Sequence, residues 1–347
     1  MTRRITTGRT TTRIQHHTFY LPSAARCTSA AIISAFLQVP AFFSSCARPQ
    51  ISEETPIGPQ IYIQWTKNTT PEAIDLFFFD TLGAQKLDCY QQIVKPEGSG
   101  HAYGVSGAGA RRLVALSGTV GVTDPWLDIS NYGNLCKKTY RLQEEDPASP
   151  HLVAEALLPE AASRIQLLNM QPMLSRIRII SVSSDFSGRP YKDGSFICSR
   201  IYLTNVATEY KPLGPGGGHP VSWINAGALD SLATEALPHP EHIMQPGLGR
   251  IGPEKQTPNL LFCCYANPAG DGTVPRTRLV LEGTVDGILC YYPIEFPSLL
   301  PGLEYQLSLT FRRMGSPDPD IPVSSDAVLV QTLTVPWHTR EPYTVTF

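Results

Sequence analysis

An all-β chain made of antiparallel β-sandwiches is what three features of this sequence predict. Short runs of β-branched and aromatic residues recur at intervals of about 8 to 20 residues, separated by turn formers. The 347 residues include 27 Gly and 31 Pro, which puts much of the chain into turns and excludes long helical bundles and coiled coils. The strand–helix alternation of a doubly wound parallel sheet is missing.

The elements follow in order. Gln60-Ile61-Tyr62-Ile63-Gln64-Trp65-Thr66 alternates apolar and polar residues, the pattern of an edge-like strand, and AIDLFFFD (Ala73 to Asp80) is almost wholly apolar, the pattern of a buried one. Further strands are expected at Leu113 to Ser117, Arg164 to Leu168, Arg176 to Val182, Phe196 to Val206, Leu260 to Tyr265 and Arg278 to Glu282. Asp286-Gly287 joins two runs through a dipeptide that takes positive φ cheaply, so Arg276 to Phe296 reads as a hairpin. Leu303 to Phe311, Ala327 to Val335 and Tyr343 to Phe347 complete the set. Two short helices are expected, from Asp128 or Ser130 to about Tyr140 and from Ala228 to Ala236. Lys211 to Pro220 and Leu237 to Gln256 read as long loops.

The length suits one large or two ordinary domains. The division expected is a leader over 1–45, a linker over 46–57, one sandwich over 58–185 and a second over 186–347. The leader is read as an export signal. Arg3, Arg4, Arg9, Arg13 and Arg26 precede every acidic residue, and Ala30 to Phe43 form an apolar run broken by Gln38 and Pro40. That run is shorter than the ~20 residues needed to span a bilayer. It ends in Phe43-Ser44-Ser45-Cys46, small residues before a cysteine, which resembles the site where bacterial lipoprotein precursors are acylated and cut. Cys46 would then carry acyl chains such as palmitate, each buried CH2 contributing about 0.8 kcal/mol to membrane attachment.

Charge excludes a second class of function. Lys and Arg total 28 against 30 Asp and Glu, a formal charge of -2, which gives no net attraction for nucleic acid. Beyond Cys46 lie Cys89, Cys136, Cys198, Cys263, Cys264 and Cys290, without metal-ligand spacing, and buried free thiols are expected for most. Cys263 and Cys264 would point to opposite faces of a strand, so one of them at most is expected in the core.

No reactive constellation emerges. Gly104-x-x-Gly107-x-Gly109 lacks the residues of a phosphate loop and reads as a strand connection. Pro238-His239-Pro240-Glu241-His242 clusters two imidazoles and a carboxylate, but its prolines bar the helix that would align them on a metal. Gly214 to His219 is flexible-loop composition, and Asp318-Pro319-Asp320 reads as a solvated turn. Neither a cofactor nor a metal is expected, and the chain is not expected to be an enzyme.

Several segments taken in order resemble the fimbrillin superfamily, the pilins and accessory subunits of type V pili of Bacteroides-like bacteria. They are the Cys46 site; Ile61-Tyr62-Ile63-Gln64-Trp65; AIDLFFFD; Gln85 to Tyr90; Arg111 to Leu116; Trp126 to Cys136; and Leu142 to Asp146. The series continues with Leu174 to Ile179, Arg200 to Asn205, Cys290 to Ile294, Arg313 to Asp320 and Thr334-Val335-Pro336-Trp337. The resemblance implies two transthyretin-like sandwiches and a structural role in adhesion at the cell outer membrane, in a surface-exposed fimbrium. Its partners would be other fimbrial subunits, joined by strand addition, and the membrane, reached through lipid. An added strand satisfies the unpaired N–H and C=O groups of a sheet edge, so the mechanism is also physically sound.

Candidate donor and groove residues are Ile61, Ile63, Trp65, Leu329, Leu333, Val335 and Trp337, the last an apolar anchor beyond Pro336. The alternative is that both terminal strands pair within their own domain. Polymerising pilins of the family are cut after an Arg just beyond the first strand. Here no Arg occurs between Pro49 and Ala110, and Lys67 is the candidate cut instead. Left uncut, the first strand would fill its own groove, suiting an anchor or accessory subunit. Two other classes of function remain open: a non-polymerising surface lipoprotein that binds glycans through exposed Trp126, Trp223 and Trp337, and a secreted hydrolase.

Overall fold

The computed structural model describes residues 60–65, 71–96, 101–105, 111–118, 126–158, 166–191, 194–215, 217–268, 274–324 and 326–337, all within one compact unit spanning 54–347. In the N-terminal half the strands are β1 (Gln60–Gln64), β2 (Ala73–Asp80), β3 (Leu87–Val94), β4 (His101–Val105), β5 (Arg111–Ser117), β6 (Tyr140–Arg141), β7 (Leu152–Leu158), β8 (Gln166–Asn169) and β9 (Gln171–Pro172), with the helix α1 (Tyr132–Leu135). A three-stranded sheet, β4-β1-β8, faces a five-stranded one, β3-β2-β5-β7-β9. Between them Ile61, Ile63, Trp65, Ile74, Leu76, Phe78, Leu113, Leu152 and Leu168 form one core.

β1 is not the edge strand its alternation suggested. It lies between β4, antiparallel with Ile61 opposite Gly104, and β8, parallel with Ile61 opposite Gln166. One face of β1 looks inward, which gives the alternation, and a strand with one buried face reads alike at the centre or the edge of a sheet.

β2 is apolar on both faces because both are covered. Phe77 and Phe79 point away from β1, and with Val114 and Leu116 they enter the larger core. Trp126 and Tyr132 cover them, their rings edge-on to Phe77 at 5.1 Å and to Phe79 at 5.7 Å. α1 is a single turn capped by the Asn131 side chain, which accepts the Asn134 N–H at 2.9 Å. It stops well before the expected Tyr140, because Tyr140 is drawn into β6 and pairs with Tyr210 of the second half.

That half contains β10 (Leu174–Ser184), β11 (Phe196–Thr204), β12 (Val206–Lys211), β13 (His219–Ile224), α2 (Ser231–Glu235), β14 (Met244–Ile251), β15 (Leu260–Tyr265), β16 (Arg278–Val285), β17 (Ile288–Glu295), β18 (Leu303–Phe311) and β19 (Val328–Pro336). The sheet β15-β10-β18-β19 packs on β14-β11-β16-β17, and a third, β13-β12-β6, joins the halves. All neighbours are antiparallel except β1 with β8 and β10 with β18. Phe196 sits where the two large sheets meet, its ring 4.9 Å from Tyr292 and 5.0 Å from Phe311. The β16–β17 hairpin forms as expected, with Asp286 at φ 50° and Gly287 at φ 75°, the left-handed pair that the turn requires.

Several expectations give way. The loop expected over 211–220 ends in β13, and the loop expected over 237–256 contains β14. β3 and β7 were not expected as strands. Cys263 and Cys264 are both buried, because β15 is covered on both faces. Tyr343 to Phe347 and the 1–45 leader lie outside the described residues.

Candidate functional site

Cys46 and Lys67, the candidate lipidation and cleavage positions, lie outside the described residues. The strand residues are placed. Ile61 and Ile63 are 0% exposed and Trp65 is 4% exposed, all aimed into the N-terminal core across from Ile74, Leu76 and Phe78. Since β1 has a neighbour on each side, taking it away would leave β4 and β8 apart with a strand-wide apolar groove between them. Two fully buried isoleucines contribute about 1.5–3 kcal/mol each to closing that groove.

The C-terminal segment lies at the opposite extreme of burial. β19 pairs in register with β18, from Leu303 opposite Pro336 to Phe311 opposite Val328, and among the described residues it is the last strand of its sheet. Only Val328 and Val335 within β19 are buried. Leu329, Gln331, Thr332 and Thr334 are exposed, and Val330 and Leu333 are half-buried. The strand is therefore held by backbone hydrogen bonds and by its ends more than by a continuous apolar face.

Just past β19 the chain keeps its register with the residue before β18. The Trp337 N–H donates to the Gly302 carbonyl at 2.9 Å, and the Gly302 N–H to the Leu174 carbonyl at 3.0 Å. This carries the indole over the start of β18 to Arg176 on β10, whose guanidinium carbon is 3.7 Å from the ring centroid. Trp337 is 7% exposed. Beside it Arg178 grips Glu304 with two hydrogen bonds, 2.7 and 3.1 Å, and Gln306 donates to the same carboxylate at 3.0 Å.

Where the halves meet, a polar group is buried. The Glu145 carboxylate accepts the Tyr265 hydroxyl at 2.8 Å and the His151 backbone N–H at 3.2 Å, and His151 Nδ1 lies 2.9 Å from it. Burial disfavours the His151 imidazolium, but the Glu145 carboxylate more than offsets this, so the imidazole titrates above its ordinary range. Tyr140 packs edge-on to His151 at 4.9 Å, and Tyr210 stacks on Tyr265 at 5.1 Å. A cleft of about 320 Å³ lies alongside, lined by Glu72, Ser117, Glu144, Asp146 and His151. In it the Ser117 hydroxyl accepts the Leu152 N–H at 2.8 Å, and His151 Nδ1 faces Glu145.

The remaining motifs resolve into local structure. Pro240 to His242 form one 3-10 turn in which Glu241 lies 3.3 Å from His239 and 3.9 Å from His242, and among the described residues no group of three metal-capable side chains forms. Asp318 accepts the Asp320 N–H at 2.8 Å, and Asp320 pairs with Arg278. The tryptophans expected to be exposed are not: Trp337 is buried, and Trp126 and Trp223 are half-buried against the larger core. The six described cysteines are free thiols, four of them buried.

These features define a β-sandwich protein whose conspicuous sites are sheet edges and a strand-filled groove. No family model matches the chain. No curated protein matches it either. Solved structures do. A candidate cell adhesion protein from Parabacteroides distasonis ATCC 8503 is similar at TM-score 0.58 and 11% identity, over 83% of this chain and 99% of that one. Another from Bacteroides eggerthii DSM 20697 gives 0.56 and 15%, over 81% and 96%. A fimbrilin from Porphyromonas gingivalis W83 gives 0.53 and 12%, over 81% and 98%. The likeness is one of fold and runs through both halves: the chain has the β-sandwich architecture of fimbrilin-like proteins.

Proposed function

We propose that this protein is a structural subunit of a type V-like fimbria, exported as an outer-membrane lipoprotein through Cys46, joined to other subunits by β-strand addition and serving adhesion. The observation that carries the proposal is the contrast between its two terminal strands. β1 seats its apolar face over a core between two other strands, and β19 is a sparsely buried strand that, among the described residues, has a neighbour on one side only. A groove that one strand fills and an edge strand with little side-chain anchorage are the two parts that strand exchange needs. The fold likeness to a fimbrilin supports the same reading. In this account the protein acts through backbone and shape rather than through a reactive side chain.

We also propose two domains, with the change-over near Met170 to Met173 rather than at 185/186, because β10 pairs with β15 and β18. Glycan binding gains nothing from the three tryptophans, which are buried or half-buried.

Mass spectrometry of the mature N-terminus from cells tests the proposal. Acyl chains on Cys46 with β1 retained mark an anchor or accessory subunit, and a new terminus beyond Lys67 marks a stalk subunit. An unmodified, uncut N-terminus overturns the export route.

A further inference from the structure

We propose that the stacking of Arg176 on Trp337 is a latch that holds β19 on its own sheet, so that this contact governs when the C-terminal strand is free to leave. The inference deepens the strand-exchange reading and rests on it for its biological meaning, though the latch itself is a property of the isolated chain.

Three observations lead to it. The first is the uneven burial of β19, which leaves its middle, Leu329 to Thr334, exposed or half-buried and concentrates its side-chain anchorage at Val328, Val335 and the adjoining Trp337. Such a segment opens locally at low cost unless its ends are held. The second is the reach of the Trp337 side chain: its backbone continues the β18–β19 register, bonded to Gly302, while its indole extends across β18 to Arg176 on β10, one strand further in. A contact spanning two strand positions must break before β19 can peel away.

The third observation is that Arg176 has no carboxylate of its own. The nearby carboxylate of Glu304 is taken up by Arg178 and Gln306. Arg176 makes no ion pair among the described residues; its Nη2 donates to the Pro147 carbonyl at 3.3 Å, and its Nε is buried without a hydrogen-bond partner. Burial pulls its pKa below the ordinary guanidinium value, so the cation is held at a cost in hydration. The Cys263 thiol and the Glu304 charge offset part of that cost, and the indole face adds to them, a desolvated cation over Trp being the strong form of this interaction. When β19 leaves, Arg176 regains water. The latch therefore holds in the closed state without making release prohibitive, and through Pro147 it also touches the loop between β6 and β7.

Native-state hydrogen exchange on the purified mature chain tests the latch. Peptides covering β19 are followed in the wild type, Arg176→Met, Trp337→Leu and the double variant, with β11 and β16 as internal references. Each single change is expected to speed β19 exchange roughly threefold to thirtyfold, with the references unchanged and the double variant no faster than the faster single. Unchanged β19 exchange in either single, or effects that multiply in the double, overturns the latch. Should Arg176→Met fail to fold, Trp337→Phe decides: its weaker ring is expected to give exchange between wild type and Trp337→Leu, and exchange equal to wild type overturns the proposal. A synthetic peptide of residues 328–337 separates the two levels of the argument. Faster β19 exchange together with capture of this peptide supports both, whereas faster exchange without capture keeps the latch and removes strand exchange.

Discussion

Replacing Ile63 with Ala measures how far β1 is part of the N-terminal core. Ile63 is fully buried, and the change removes three carbons, a transfer loss of about 2.4 kcal/mol at about 0.8 kcal/mol each. The facing residues Leu76 and Phe78 are both on β2, which is fixed by β3 and β5 on its two sides, so they cannot close the gap, and the cavity adds about 1–2 kcal/mol. The expected cost is thus about 3.4–4.4 kcal/mol, a large share of the roughly 5–15 kcal/mol that stabilises a domain. Equilibrium urea unfolding reads it, with Gln64→Ala, one residue along on the exposed face, expected within about 0.5 kcal/mol of wild type. A loss at Ile63 below about 1 kcal/mol, similar to that at Gln64, would refute the placement of β1 over the core.

Other outcomes follow from particular residues. Because the folded His151 titrates above its unfolded value of about 6.5, its pairing with Glu145 contributes stability fully below that pH and loses it as pH rises through the folded value. The stability gap between wild type and His151→Gln should therefore shrink as pH rises from about 6 through the folded value, and a constant gap would contradict the ion pair. Burial pushes the Cys198 and Cys263 thiols up to about 11, so in the native protein a thiol reagent should modify Cys89 and Cys136 first, with Cys198 and Cys263 slower by on the order of a hundredfold. Uniform labelling of all the cysteines would count against the burial described. Gly287→Val forces a β-branched residue to φ 75° and should cost about 1–2 kcal/mol in urea unfolding.

The β16–β17 hairpin was legible in the sequence because its signal is local: Asp-Gly fixes the turn, and the flanking runs are strand-like on any register. AIDLFFFD was legible as buried, though not the reason, which is cover on both faces by parts of the chain far apart in sequence. β14 was illegible. Met244 to Ile251 contains Pro246, Gly247 and Gly249, the composition of a loop, yet it pairs with β11 across a bulge between Cys198 and Arg200. Gly247 is required there, since a Cβ would lie 2.2 Å from the Cys198 carbonyl oxygen. β7, with its Ala, Glu and Leu, has helix-forming composition and becomes a strand because β5 offers it a pairing edge. In the candidate site, the alternation of β1 and the pattern of Leu329 to Val335 could be read directly. That β1 is central, and that Trp337 reaches Arg176, depends on sheet order, which no local pattern encodes.

The account stands or falls on whether this chain joins to others through its sheet edges. Surface material released from cells and run unboiled in SDS tests it most directly, because strands knitted into a neighbour's sheet resist the detergent until heated. The account predicts a ladder of species containing this chain that collapses to one band on boiling. A single monomeric band before and after boiling, with every co-expressed subunit present, would contradict it.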